Sequence, residues 1–156
     1  MLTRLDAVHQ TRAEIVATAR LAVETPGRGF VEITRDVETF IGQVAAHEGI
    51  VWLYLRHTSA SLVIQENADP DVQADLTTAL DRLVPERGDF IHDSEGPDDM
   101  PAHVKAMLTG VSLHVPVIDG SLALGSWQGI YVAEHRARPH RRDVVLQFIG
   151  AGRDRR

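Results

Sequence analysis

From Ala13 to Val23 every odd-numbered position is apolar: Ala13, Ile15, Ala17, Ala19, Leu21 and Val23. The even positions include Glu14, Thr18, Arg20 and Glu24. Side chains on a strand point alternately to its two faces, so this pattern describes a long strand with one face covered and one face wet. Such a strand cannot stand alone. It commits the chain to a sheet whose inner face other elements must cover. Pro26-Gly27-Arg28-Gly29 then reads as a turn, and Phe30, Val31 and Ile33 as a second, short strand.

The covering elements are visible as helical spacing. Thr34 is a candidate cap for a helix over about 35–47, with Val37, Phe40, Ile41 and Val44 on one stripe and Gly49 as its stop. Ile50-Val51-Trp52-Leu53-Tyr54-Leu55 reads as a central strand buried on both faces. Asp69 and Pro70 open a second helix as N-cap and first helical residue. Its inner stripe is Val72, Leu76, Ala79, Leu80 and Leu83, and Pro85 ends it. The stretch over about 85–101 is polar and rich in acid and proline, a loop long enough to suggest function. A short third helix over about 102–109 closes at Gly110. Then come strands at 113–117 and 122–124, joined by the hairpin pair Asp119-Gly120, and two more at 129–133 and 143–149. The order β-β-α-β-α-α-β-β-β-β specifies a single α+β domain with helices on one face of a mixed or antiparallel sheet. Residues 1–11 read as an N-terminal extension, 12–150 as the domain and 151–156 as a basic tail.

The 156 residues suffice for one core, and no apolar run approaches the ~20 residues of a membrane helix. No leader-like segment opens the sequence, so the expectation is a cytoplasmic protein without a membrane partner. The net charge of −6 makes a nucleic-acid partner a poor expectation. There is no cysteine, so any metal must be held by His, Asp or Glu, and the chain has eight histidines.

Five constellations carry polar chemistry. His57-Thr58-Ser59-Ala60-Ser61 follows the central strand, where a base, a metal ligand and phosphate-binding hydroxyls would sit. It is equally readable as a turn satisfying its own backbone. Gln65-Glu66-Asn67-Ala68-Asp69-Pro70 is a polar loop before a helix, either a simple cap or an anion cradle. His92 and His103 flank four carboxylates, Asp93, Glu95, Asp98 and Asp99. That set suits a divalent metal, or a solvated acidic loop. Gly125-Ser126-Trp127-Gln128-Gly129 places a flat indole and a two-way hydrogen-bonding amide on a tight bend, and a core tryptophan beside a bulge reads the same way. Arg136, Arg138, His140, Arg141 and Arg142 read mainly as a charged hairpin tip, and His9, His47 and His135 as ordinary surface or strand histidines.

Taken together and in order, four of these segments resemble one family. They are His57-Thr58-Ser59-Ala60, Glu66-Asn67-Ala68-Asp69-Pro70-Asp71-Val72, Asp99-Met100-Pro101-Ala102-His103 and Leu122-Ala123-Leu124-Gly125-Ser126-Trp127-Gln128-Gly129-Ile130-Tyr131. The set is similar to the YjbQ family of secondary thiamine-phosphate synthases, over about residues 12–150. The resemblance implies an α+β fold with its sheet curved into a half barrel, a homotrimer with pockets near subunit boundaries, and a bound divalent metal such as zinc. It differs in having Ser126 where Thr is commoner and His135 where a large apolar residue is commoner.

The implied activity joins a hydroxymethylpyrimidine pyrophosphate to a thiazole phosphate and releases pyrophosphate. On this sequence His57, His92 and His103 would hold the metal with one position open. Asp99 would orient a histidine, Ser59 and Asn67 would contact phosphate, Trp127 and Gln128 would hold the ring, and Glu134 would act as general base. The same residues also describe a metal-dependent hydrolase of a small phosphorylated or heterocyclic substrate. A non-catalytic trimeric ligand-binding protein is the reading of a different class.

Overall fold

The structure is a computed structural model that describes residues 5 and 7–153. Eleven elements follow in order: β1 (Ile15–Thr25), β2 (Gly29–Glu32), α1 (Thr34–Gln43), β3 (Ala46–Leu55), β4 (Ala60–Glu66), α2 (Pro70–Leu83), α3 (Asp99–Thr109), β5 (Ser112–Ile118), β6 (Ser121–Leu122), β7 (Gln128–Glu134) and β8 (His140–Gly152). All strand pairings are antiparallel. Five strands lie in the order β1-β8-β3-β5-β6 and three in the order β2-β7-β4. The fold is α+β, with the sheet curled into a half barrel and three helices. Among the described residues, no helix is long and apolar enough to cross a membrane. Of the basic tail, Ala151 and Gly152 belong to β8, and residues 154–156 lie outside the described residues, as do 1–4 and 6 of the extension.

The period-two segment forms β1 and pairs in unbroken register with β8, from Ile15 opposite Gly150 to Thr25 opposite His140. Register carries each row across the sheet. Ala17, Phe148, Val51 and Val115 form one inner row, and Ala19, Leu146, Leu53 and Leu113 the next. The core lies between these rows, Leu62, Ile130 and Val132 of the small sheet, and Val37, Phe40 and Ile41 of α1. Each such large side chain taken from water contributes roughly 1.5–3 kcal/mol, so the inner rows dominate the stability.

Several expectations are corrected. β3 is central in its sheet but not buried on both faces, since Trp52 and Tyr54 are 44% and 53% exposed while Val51, Leu53 and Leu55 are buried. α1 ends at Gln43 rather than near 47, because Ala45 turns at φ 53 and Ala46 already starts β3. Gly49 therefore lies inside a strand. Thr34 does not cap the helix. Its hydroxyl accepts from the Ile130 amide at 2.9 Å and ties α1 to β7. Between His57 and Asn67 the chain forms β4, where the sequence reading placed only a turn and a loop. β4 is buried on both faces at its start because α3 packs over it, and the Leu62 amide donates to the Gly110 carbonyl at 3.0 Å. The second helix starts as expected, with Asp69 accepting from the Asp71 amide at 2.9 Å. Its stripe is only half-covered, and Leu83 is 72% exposed.

Candidate functional site

The start of α3 builds the site. The helix begins at Asp99, three residues earlier than the spacing suggested, with Pro101 inside its first turn. Proline is tolerated there because the first amides of a helix have no intrahelical acceptor. The early start puts Asp99 and His103 one turn apart on one face. Asp99 is 2% exposed, and its Oδ2 lies 2.8 Å from His92 Nε2 and 3.5 Å from His103 Nε2. The two rings are 5.7 Å apart between centroids. His103 Nδ1 lies 3.0 Å from the Thr58 carbonyl oxygen. A carbonyl only accepts, so Nδ1 carries a proton there, and in the neutral tautomer Nε2 is the nitrogen that can ligate an ion beside the carboxylate. One ligand atom from each of His92, Asp99 and His103 lies within 4.8 Å of the other two.

Arg136 closes the group from the other side. It pairs with Asp99 Oδ1, bonds Asp98 Oδ2 at 3.1 Å and donates to the Glu95 carbonyl at 2.8 Å. Burial opposes ionisation of Asp98, but the Ala137 amide and the Arg136 guanidinium outweigh it and hold the carboxyl below its ordinary range. The acidic loop is therefore not merely solvated. It wraps a guanidinium that the sequence reading assigned to a hairpin tip.

His57 does not join this group. Its Nε2 accepts from the Asp143 amide at 2.9 Å, which leaves the proton on Nδ1 and no free ring lone pair for a metal. Burial and the Arg142 charge push its pKa down, so the ring is a neutral donor. Glu134 is 1% exposed and saturated. It accepts from Arg142 Nε and Nη2 at 2.6 Å each, from Thr25 Oγ1 at 2.8 Å and from the Arg136 amide at 2.9 Å. Burial raises its pKa, but these donors outweigh it and keep the carboxylate ionised, which makes it the anchor of Arg142 rather than a proton acceptor. Ser59 lies beside this pair, its carbonyl 3.5 Å from Arg142 Nη2.

The remaining predicted residues lie elsewhere. Along the β4–β7 pair, Ala60 faces Glu134 and Glu66 faces Gln128. Six residues of strand put those ends about 20 Å apart. Asn67, Trp127 and Gln128 occupy the far end. The Asn67 amide donates to the Trp127 carbonyl at 3.0 Å, and Gln128 Oε1 accepts from the Gly125 amide at 2.7 Å. The turn uses the Oε1 of Gln128 and leaves its amide NH2 to offer, and Trp127 is 69% exposed rather than a core residue. One chain thus holds two separate polar ends, not one pocket. His135, read as an ordinary strand residue, is buried, with Nε2 2.8 Å from Ser61 Oγ. It follows β7 directly, and the apolar run Ile130-Tyr131-Val132-Ala133 just ahead of it was the available signal.

The model of the UPF0047 protein YjbQ-like family matches residues 19–151. A UPF0047 protein of Synechocystis is 44% identical over 131 residues, covering 83% of this chain and 89% of its own. The UPF0047 protein YjbQ of Salmonella typhimurium is 43% identical over 124 residues, covering 79% and 90%. The crystal structure of an uncharacterized conserved protein of the yjbq/upf0047 family from Clostridium acetobutylicum superposes with a TM-score of 0.79 at 36% identity, covering 84% of this chain and 99% of that one.

Proposed function

The chain belongs to the YjbQ-like UPF0047 family, and from that premise we propose that it binds a divalent metal ion, such as zinc, between His92, Asp99 and His103 and acts on a pyrophosphorylated small molecule. The observation that carries this reading is the convergence of both Nε2 atoms on one buried carboxylate oxygen, with the His103 tautomer set by Thr58. Three protein donors of this kind suit a catalytic ion with open positions, and such an ion neutralises charge on a departing phosphate.

The reaction is of the thiamine-phosphate synthase type. A thiazole nitrogen forms a bond to the pyrimidine methylene carbon, the carbon–oxygen bond to pyrophosphate breaks, and pyrophosphate leaves with the electron pair. His57, as an Nδ1–H donor, and the Ser59 hydroxyl supply hydrogen bonds to phosphate oxygens. Arg136 holds Asp99 in place through its contact with Oδ1. Asn67, Trp127 and Gln128 receive the ring from a neighbouring copy in a homotrimer, because in one chain they lie at the far end of the β4–β7 pair, about 20 Å along the strand from its histidine end. The exposed outer face of the large sheet, with Val16, Trp52 and Tyr54, supports such an assembly.

The test is an assay of metal-loaded protein with both organic substrates. Thiamine phosphate and pyrophosphate should appear in equal amounts, and His103→Ala should abolish both. The separation of the two ends favours one second reading, a hydrolase that needs only the histidine end. Consumption of the pyrophosphorylated substrate without the thiazole would establish it. No turnover, with a ligand-dependent rise in melting temperature, would leave a binding protein.

A further inference from the structure

We propose a second divalent-cation site, formed by His47, Glu48 and Asp119 at the other end of β3 from the first group. One ligand atom from each residue lies within 4.8 Å of the other two. Adjacent strand residues normally point to opposite faces, but the β3–β8 register shifts between Ala46 and Glu48, and this bulge lets His47 and Glu48 share an edge. Asp119 comes from the β5–β6 hairpin turn, where it and Gly120 have φ of 51° and 78°. The turn is clamped onto the bulge. Glu48 Oε1 accepts from the Asp119 amide at 3.0 Å, and the Gly120 amide donates to the His47 carbonyl at 2.9 Å.

Two further observations point to a cation. His47 Nδ1 is buried and has no hydrogen-bond partner among the described residues. A buried polar atom left unpaired is costly, and an ion or water reached by this nitrogen would relieve that cost. Neither Glu48 nor Asp119 takes part in any ion pair among the described residues, so no side-chain cation contacts the two carboxylates directly. One imidazole with two carboxylates suits a borderline ion of the zinc, cobalt or manganese class, not a soft one. The group borders an open groove also lined by His9, Arg12 and Arg153. An ion there would share the groove with two guanidiniums, whose charge would favour an anionic co-ligand.

Untagged, metal-free full-length protein carrying His92→Ala and His103→Ala removes the first group's imidazoles, so the outcome does not depend on the function proposed above. Titration with cobalt(II), followed by visible absorption and calorimetry, should show one ion bound per chain. Adding Asp119→Asn should weaken binding at least tenfold, as should His47→Gln. Asparagine tolerates the positive φ, so the turn survives, and far-UV circular dichroism verifies the fold of both variants. No bound cobalt, or binding unchanged by both substitutions, would overturn the proposal.

Discussion

His135 is a base buried in a site that disfavours its charge. Burial, then the nearby Lys105 cation, pushes its pKa down to about 4, with Arg142 and Arg28 adding and Glu134 opposing. An exposed histidine has a pKa near 6.5. Between those values the unfolded chain binds the proton and the folded chain does not. Stability is therefore complete above about pH 6.5 and falls as pH drops toward 4, by at most about 1.4 kcal/mol per pH unit. In urea titrations across that window, His135→Leu should show a shallower pH dependence than the parent. An identical slope would remove His135 as the cause. Glu134→Gln tests the neighbouring pair. It leaves Arg142 buried against a neutral partner, and the loss of stability should be about 3–5 kcal/mol by chemical denaturation. Neither role was legible in the residues alone. A buried arginine reads like a surface one until its carboxylate is placed opposite, and Glu134 and Arg142 are joined only by the turn between β7 and β8. His57 shows the same limit, because its lone pair is taken by a backbone amide that no spacing rule reveals.

The elements that follow a clean period were readable in advance. β1, α2 and the Asp119-Gly120 turn fall where the pattern puts them. β4 was not, because burial on both faces removed its alternation and its polar ends read as loops. α3 was misplaced by three residues because Pro101 looks like a boundary, and that shift hid the Asp99–His103 face on which the site depends. The crossing of β3 and β8 gives a test at this scale. A Cβ on Gly150 would run into the Glu48 carbonyl oxygen and lie 2.7 Å from Gly49 Cα, both backbone atoms that cannot rotate away. Gly150→Ala should cost about 1–3 kcal/mol and lower the melting temperature. An unchanged melting temperature would mean that the two backbones part at little cost.

The outer face of the large sheet carries Trp52, its ring 5.1 Å from that of His114 and tilted to it by 39°, with Tyr54 and Val16 also exposed. Apolar exposure of this kind on one continuous sheet face is what a second copy covers. Sedimentation analysis should give the mass of three chains, and Trp52→Glu should shift it toward one. A monomeric parent would refute the shared pocket and leave the two polar ends of the chain unconnected. The measurement that bears most directly on function is a count of bound metal. Untagged parent and His92→Ala/His103→Ala protein are loaded with zinc, desalted identically and analysed by elemental mass spectrometry. A metal held by His92, Asp99 and His103 predicts a difference of one ion per chain. Equal zinc in the two proteins would contradict it.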